Sequence, residues 1–219
     1  MWNDLVTYLQ NNAFDILVQI RDHLAVSLIA LIIACAIGVP IGYFASESVK
    51  GERIMTIPFE VFRVVPSLAI LVLLIPVLGT GTAPAAVALT VLAVPPILLN
   101  TIAGFRQVPD FMTECGRGIG LSEQQVLWKV RVPLALPMIF AGIRTALIEV
   151  IASATLAAKI GAGGLGEIIF TGLGLNRADL LIIGGVLVAM LSLGSGFLFD
   201  LAAGHVLRYK RAALSTGQH

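Results

Sequence analysis

The stretch "LAVSLIALIIACAIGVPIGYFAS", residues 24–46, decides the class of fold. Its 23 residues contain no charged side chain. At about 1.5 Å per residue, a helix of this length reaches about 35 Å, enough to cross a hydrocarbon core of about 30 Å with some tilt. The stretch therefore predicts a membrane-spanning helix.

The composition of the whole chain agrees with that prediction. Of its 219 residues, 58% are hydrophobic and 12% are charged, and the mean hydropathy is +0.95. A water-soluble domain needs more charge than this to cover its surface. The formal net charge of +1, without a basic block or acidic tail, gives no indication of nucleic-acid binding. Cys35 and Cys115 are too few for a metal cage, so we expect no metal site.

Further uncharged runs predict four more spans. The 42 uncharged residues 64–105 are twice what one span needs, and the turn formers of "LGTGTAP", residues 78–84, divide them into spans 2 and 3. Residues 134–158 form the predicted span 4, and residues 180–199 form span 5. The chain is therefore predicted to be an all-α membrane protein with five transmembrane helices in a single domain, residues 1–219.

The basic residues predict the orientation of these spans. Cytoplasmic loops are enriched in lysine and arginine. Three lie on one side: Arg21, Lys159 and Arg177. Nine lie on the other: Lys50, Arg53, Arg106, Arg117, Lys129, Arg131, Arg208, Lys210 and Arg211. We therefore expect the N-terminus outside, and residues 106–133 and the C-terminus in the cytoplasm.

Apolar residues at helical spacing in "MWNDLVTYLQ" predict an N-terminal helix on the outer interface, within residues 1–20.

The polar segment "ECGRGIGLSEQQVLWKVRVP", residues 114–133, interrupts the apolar chain. Pro109 predicts the start of a helix that runs to about Gly118, where glycines break it. Ser122 and Gln125 have the spacing of a capping box, which predicts a second helix that ends before Pro133. This short helix has apolar side chains that would be exposed in water, as is typical of a helix that docks in a groove of a soluble partner.

The same segment resembles the cytoplasmic loop of ABC importer permeases, which has the form E-A-A, three residues, G, nine residues, I-x-L-P. Glu114-Cys115-Gly116 stands in the E-A-A place, Gly120 follows after three residues, and Val130-Arg131-Val132-Pro133 follows after nine more. The substitutions at the alanines, Ile and Leu are conservative in size. The resemblance implies a coupling helix that sits in a cleft of an ATPase subunit. The residues it implies for ATPase coupling are Glu114, Cys115, Gly116, Gly120, Leu121, Ser122, Gln125, Trp128, Val130 and Pro133.

Other stretches resemble the small permease subunits of osmoprotectant importers, which carry glycine betaine, carnitine or choline. They include "RVVPSLAILVLLIPVLGTG", residues 63–81, and "ASATLAAKIGAGGLGEIIFTGL", residues 152–173. The resemblance implies an inner-membrane permease dimer of identical or related chains, two ATPase subunits that hold ATP and Mg²⁺, and an external binding protein that delivers the solute. No cofactor is expected in this chain. Methionine and other amino-acid importer permeases, which share the size and the loop, are the alternative.

Two charges lie inside the predicted span 4. A charge in hydrocarbon is costly, so Arg144 and Glu149 should face the bundle interior or a water-filled path. Five residues place them about 140° apart around the helix and about 7.5 Å apart along it, so they are poor partners for each other. Two roles stay open for them: lining the path or a gate near a zwitterionic solute, or tethering the helix to another part of the protein.

Prolines and glycines supply the other candidates for the path. Pro66 interrupts span 2 and Pro95 interrupts span 3. Such kinks can shape a path, although proline is also common in membrane helices. Gly163 and Gly164 belong to an external glycine-rich loop, residues 161–178, which we expect to form a re-entrant turn at the outer mouth. The G-x-x-x-G pattern at Gly38 is expected to serve helix packing instead.

Two other classes of protein were weighed. A membrane-embedded enzyme is disfavoured because the histidines flank the predicted spans and neither H-E-x-x-H nor G-x-S-x-G occurs. An ion-driven secondary transporter usually shows inverted repeats, which an odd number of spans does not offer. The glycine-rich loop lacks the G-K-[ST] ending of a phosphate-binding loop. We therefore expect a transport subunit, not an enzyme, whose ATP is hydrolysed by a partner chain.

Overall fold

The computed structural model describes residues 2–48, Ile57 and residues 67–207, and all regular structure in these ranges is helical. This confirms the all-α prediction for the described part of the chain. Several positions used in the sequence-based predictions lie outside it: Pro66, Lys50, Arg53, Arg208, Lys210 and Arg211.

The first two helices differ from the prediction for residues 1–20. Helix α1 covers Trp2–Asn11 and helix α2 covers Ala13–Ser46. The long helix therefore begins eleven residues before the predicted span, so residues 13–20 belong to it and not to a separate interfacial helix. The reason is that charge is costly only inside hydrocarbon. Asp15 and Arg21 lie in the first turns, and 34 residues at about 1.5 Å reach about 51 Å, so this end can extend beyond the bilayer.

Helices α3, Ser67–Leu78, and α4, Thr82–Arg106, are joined by the predicted tight turn. In this turn Gly81 has φ +111°, and its N–H donates to the carbonyl oxygen of Ile160 at 2.7 Å. Four helices in the described residues are long and apolar enough to cross a membrane. The described part of helix α3 has 12 residues, fewer than a span needs. The five-span count and the orientation stay predictions.

The remaining helices form the polar loop and the second half of the bundle. They are α5 (Asp110–Gly118), α6 (Glu123–Val126), a π-helix (Leu127–Arg131), α7 (Val132–Ala157), a 3₁₀ turn (Ala158–Ile160), α8 (Gly166–Gly174) and α9 (Ala178–Val206). The segment from Glu123 to Ile160 is one continuous helical rod of 38 residues.

Close packing at small residues holds α2, α4 and α7 together at the centre of the bundle. A Cβ at Gly42 would lie 2.7 Å from Cβ of Thr101, and one at Gly142 would lie 2.8 Å from the carbonyl oxygen of Pro96. Lipid tails are as apolar as these side chains, so helix association depends on such close contact. The expected packing role of the G-x-x-x-G pattern is confirmed. Apolar side chains that are fully buried include Leu71, Leu89, Ile97, Leu98 and Ile151.

The glycine-rich segment 161–178 is not only a turn. Residues 161–165 form the loop, but α8 follows and packs on α9 through a second apolar cluster that includes Leu165, Ile168, Leu180 and Ile183. The apolar residues of "LGEIIFTGL" provide the buried face of this short helix, and this contact with α9 explains why a helix forms where the glycines alone indicated a turn.

Candidate coupling surface and translocation face

The first helix of the polar loop has the predicted bounds. Pro109 is the extended residue before the first turn of α5, and Asp110 follows it. The helix ends at Gly118, and Gly120 has φ +88°, a conformation that disfavours any side chain. The glycine three residues after the E-A-A position is therefore required by the backbone of the turn.

The predicted capping box at the start of α6 is confirmed. The N–H of Gln125 donates to Oγ of Ser122 at 3.3 Å, and the N–H of Ser122 donates to Oε1 of Gln125 at 3.0 Å. Two of the N–H groups that a helix start leaves unpaired are satisfied in this way. Both predicted residues thus set the start of the second helix of the loop.

A bidentate ion pair joins the end of α5 to the start of α6. Nε of Arg117 donates to Oε1 of Glu123 at 2.7 Å, and Nη2 donates to Oε2 at 3.0 Å. The hydrogen bond from the Arg117 guanidinium lowers the pKa of the Glu123 carboxyl below its ordinary value. From the sequence, Arg117 is only one of several basic residues, because spacing alone does not predict an ion pair with Glu123 across a turn.

Gly116, which stands in the second alanine place of the motif, is buried where the two loop helices meet. A Cβ at this position would lie 3.5 Å from a methyl of Val126 and 3.6 Å from methyls of Leu121 and Val130, which is ordinary contact. An alanine would therefore fit here. The motif residues Gly116, Leu121 and Val130 form the inside of the loop and set its shape.

The outside of the loop exposes large apolar side chains. Trp128 is 69% exposed and Ile119 is 78% exposed, and Phe111 and Met112 of α5 are exposed as well. Glu114, Cys115, Ser122 and Gln125 are exposed as well. Exposed aromatic and apolar groups on a capped, rigid loop are typical of a docking surface. We call Phe111, Met112, Ile119 and Trp128 the apolar knob.

The prediction that the second helix ends before Pro133 is wrong. After α6 the chain forms a π-helix, in which the N–H of Val132 donates to the carbonyl oxygen of Leu127, five residues earlier. Pro133 has no N–H, so an ordinary α-turn would lose a hydrogen bond there. The wider π-turn changes the pairing of acceptors just before the proline. Trp128, the one member of the apolar knob in this segment, is consequently joined to α7 by unbroken helix.

The charged residues of α7 are exposed on the protomer. Arg144, Thr145 and Glu149 are all exposed on this helix. Nε of Arg144 donates to the carboxylate of Asp200 in α9 at 2.8 Å. Arg144 therefore tethers α7 to another helix, as one of its two possible roles required. Its partner, Asp200, was not among the candidate residues. The two residues are 56 positions apart, a separation at which sequence spacing carries no signal.

The proline and glycine candidates lie in different places. Pro95 is buried inside the protomer within α4, and Pro66 lies outside the described residues. Gly163 and Gly164 line a polar cavity of about 340 Å³ together with Asp15, Asp22 and Glu167. The structure thus brings the two glycines to the N-terminal part of α2, but it does not bring them together with Pro95.

His23 is a buried residue that the sequence analysis placed at a span end. It is 1% exposed, and its Nε2 lies 2.8 Å from the carbonyl oxygen of Ile151 in α7. A Cβ at Gly164 would lie only 3.0 Å from Nδ1 of this ring. Since a carbonyl only accepts, Nε2 donates. His23 therefore joins α2, α7 and the glycine-rich loop. Because α2 begins at Ala13, His23 lies inside this helix and not at its end.

The fold is similar to chains in solved structures of ABC transporters. One belongs to the inward-facing MetNI methionine ABC transporter, with a TM-score of 0.77, 24% identity, and coverage of 91% of this chain and 97% of that chain. Another belongs to an amino acid ABC transporter solved with histidines, with a TM-score of 0.68, 18% identity, and coverage of 94% and 98%. At these identities the similarity shows only that this chain shares the fold of those transporter chains.

Sequence comparison identifies the family. Residues 38–211 match the model of the binding-protein-dependent transport system inner membrane component. The carnitine transport permease protein OpuCB of Listeria monocytogenes is 45% identical over 86% of this chain and 87% of its own length. The glycine betaine/carnitine/choline transport system permease protein OpuCB of Bacillus subtilis (strain 168) is 41% identical over 87% and 88%. This chain belongs to that family: it is a multi-pass inner-membrane transport subunit, not a catalytic one.

Proposed function

We propose that this chain is the membrane-spanning subunit of an ATP-driven importer of small compatible solutes of the quaternary ammonium class, such as glycine betaine, carnitine or choline. The observation that carries the proposal is the loop at residues 110–133. It combines the E-A-A-type spacing with a capped, ion-paired turn and an exposed apolar knob, in a chain of the inner-membrane permease family. The solute class rests on the names of relatives that are 40–45% identical over most of both chains.

The apolar knob is the docking element for a separate ATPase subunit, which binds ATP and Mg²⁺. Two such subunits serve a dimer of this permease or of this permease and a related one. The helical rod Glu123–Ile160 extends about 57 Å at about 1.5 Å per residue, so it reaches from the knob through a bilayer. Movement of the knob with nucleotide-driven closure is delivered directly to α7. This arrangement supports alternating access, in which the path opens outward when the ATPases close.

The exposed face of α7 with Arg144, Thr145 and Glu149 borders the translocation path or the second permease copy. Charged groups exposed on one protomer at membrane depth are too costly to leave against lipid. Arg144 and Asp200 are each about half exposed, at 44% and 50%, so their pair also needs a polar environment. A water-filled path that carries a charged solute supplies one.

The outer end of the protomer is the entry side. The glycine loop, the start of α2 and Glu167 enclose the polar cavity of about 340 Å³ described above. An external binding protein would deliver the solute at this end, and closure of the loop segment around Gly163 and Gly164 would limit backflow. Selection of the solute is then mainly the task of the binding protein.

A methionine or amino-acid importer is the second candidate function. The fold similarity to the methionine transporter favours it, with a TM-score of 0.77. The sequence identity of 24% to that chain is well below the 45% to the carnitine permease, so we place the osmoprotectant class first.

The test is reconstitution of the permease with the ATPase and the binding protein encoded beside it. Uptake of labelled glycine betaine, carnitine, choline and methionine into proteoliposomes is measured with and without ATP inside. ATP-dependent uptake of at least one quaternary ammonium compound is expected. Uptake of methionine alone would support the second candidate. Uptake that follows an ion gradient without ATP, or a permease that does not co-purify with the ATPase, contradicts the proposal.

A further inference from the structure

We infer that Arg131 is the positioning residue that links the coupling loop to the first long helix, so that α2 moves together with the knob. Arg131 stands at the end of the π-helix, where the loop joins α7. Its motif position is the variable residue of V-R-V-P, to which the loop pattern assigns no role. The inference rests on the proposed function, because it concerns how motion of the loop reaches the membrane helices.

The first contact is an ion pair with the inner end of α2. Nη2 of Arg131 lies 2.7 Å from Oε1 of Glu47, the residue that follows the last turn of α2. The side chain of Arg131 is 23% exposed and that of Glu47 is 46% exposed. The arginine is therefore held in a partly buried position, where an ion pair is screened less than at an open surface.

The second contact is with two aromatic rings. The guanidinium carbon of Arg131 lies 5.8 Å from the ring centroid of Tyr43 in α2 and 5.7 Å from that of Phe105 in α4. The two rings pack edge to face with centroids 5.0 Å apart. These distances fall within the range of cation–π attraction, for which the planar arginine is better suited than lysine. One side chain thus contacts the inner ends of α2 and α4 at the same time.

The apolar contacts beneath Arg131 do not supply the same link. Phe105, Ala135 and Ile139 form a small buried cluster against which Tyr43 and Leu127 pack. The hydrophobic attraction is non-directional, so this small cluster does not by itself set the direction in which the end of α2 moves. An ion pair combined with two ring contacts sets both distance and direction. When the knob is displaced, Arg131 pulls the end of α2 along in a direction that the cluster alone does not set.

The test measures the movement of the loop and of α2 separately in the complete complex with ATPase. Spin labels are placed at position 113 in the loop or at position 46 in α2, in a chain with Cys35→Ala and Cys115→Ala. The distance between the two permease copies is recorded without nucleotide and with ATP and vanadate. In the parent chain we expect both distances to change. In Arg131→Ala the loop distance should change as before, while the α2 change should shrink to about half or less.

Charge exchange and transport provide further readouts. Glu47→Gln should reduce the α2 movement, and the double variant Arg131→Glu with Glu47→Arg should restore part of it, since the ion pair returns without the ring contacts. Transport per ATP hydrolysed should fall by roughly threefold or more in Arg131→Ala. Arg21→Ala is the matched control: it removes an exposed ion pair, with Asp22, from the other end of the same helix. It should leave both distances unchanged.

The outcomes separate the inference from the proposed function. If the loop distance of the parent chain does not respond to nucleotide, the proposed coupling itself is wrong. If it responds and α2 moves equally in the parent chain and in Arg131→Ala, only the inference is overturned. Should Arg131→Ala fail to assemble, Glu47→Gln decides, because it retains the arginine on both rings. An undiminished α2 movement in Glu47→Gln, with no loss of transport per ATP, then overturns the inference.

Discussion

Arg144 of α7 and Asp200 of α9 form an ion pair, with Nε of the arginine 2.8 Å from the carboxylate. The pair connects the helical rod Glu123–Ile160 with α9, the last long helix of the described chain. It is half exposed on the protomer, although both helices are apolar enough to cross a membrane. A charged pair is costly against hydrocarbon, so we expect water or protein to cover it in the assembled transporter.

Exchange of the two charges decides between the two roles left open for Arg144. We expect Arg144→Ala to assemble and to lose most of its transport. The double variant Arg144→Asp with Asp200→Arg retains the tether but moves the positive charge to α9. If the path needs the cation on α7, transport stays low in the double variant while thermal stability recovers. Recovery of both in uptake and melting assays would show that the pair is only a tether.

Removal of the indole at position 128 should weaken docking of the ATPase. Trp128→Ala deletes the largest side chain of the apolar knob, and buried tryptophans at interfaces commonly contribute about 2 kcal/mol or more, roughly thirtyfold in Kd. The measurement is the affinity of the purified ATPase for the permease. Leu193→Ala on α9 is the control, because Leu193 is also 69% exposed but lies in a long apolar helix away from the loop. Equal affinities for the two variants would contradict the proposed docking surface.

Adding one methyl group at Gly142 should destabilise the bundle. A Cβ there would lie 2.7 Å from Cβ of Asn100 and 2.8 Å from the carbonyl oxygen of Pro96, so α4 and α7 must separate. Overpacking of this kind costs about 1–3 kcal/mol. The Tm of the detergent-solubilised protein is the measurement. Gly185→Ala in α9 meets nothing within 4 Å and should keep or raise the Tm. A Gly142→Ala variant as stable as Gly185→Ala would contradict the described contact.

The ion pair between Arg117 and Glu123 should make the loop sensitive to acid. The pKa of Glu123 is lowered in the folded protein by its hydrogen bond to Arg117. A lowered folded pKa means that the pair's contribution is present above the unfolded pKa and is lost as pH falls through the folded pKa. Hydrogen–deuterium exchange of residues 116–124, corrected for intrinsic rates, should be slower in the parent chain than in Glu123→Gln at pH 7.

The difference between these two proteins should disappear in strong acid, because the carboxyl is then protonated in both folded and unfolded forms. In Glu123→Gln, the exchange rate of residues 116–124 should show no change of its own as the pH falls through the folded pKa of Glu123. Only changes shared with the parent chain should remain. Persistence of the difference at pH values well below the ordinary pKa of a glutamate would contradict the assignment of the pair. The same experiment reports whether the pair protects the backbone of the turn between α5 and α6, where Gly120 lies.

Local signals in the sequence were sufficient for much of the coupling loop. The start of α5 at Pro109, its end at Gly118 and the capping box of Ser122 and Gln125 all involve hydrogen bonds between residues within a few positions of each other. The continuation past Pro133 was missed, because proline normally ends a helix and the π-turn that allows it to continue has no clear sequence signature.

By itself the sequence determined that the chain is helical, that it belongs in a membrane, and where its polar loop begins and turns. These properties depend on the length of the apolar stretches and on backbone hydrogen bonds between residues close in sequence. Both can be read directly from the order of the residues. Only the tertiary structure decided which groups meet: the side chains of Arg144 and Asp200, those of Arg131 and Glu47, and the ring of His23 with the backbone carbonyl of Ile151. Each of these contacts joins residues from separate helices, so it depends on how those helices pack, rotate and extend beyond the bilayer, which spacing along one helix does not specify.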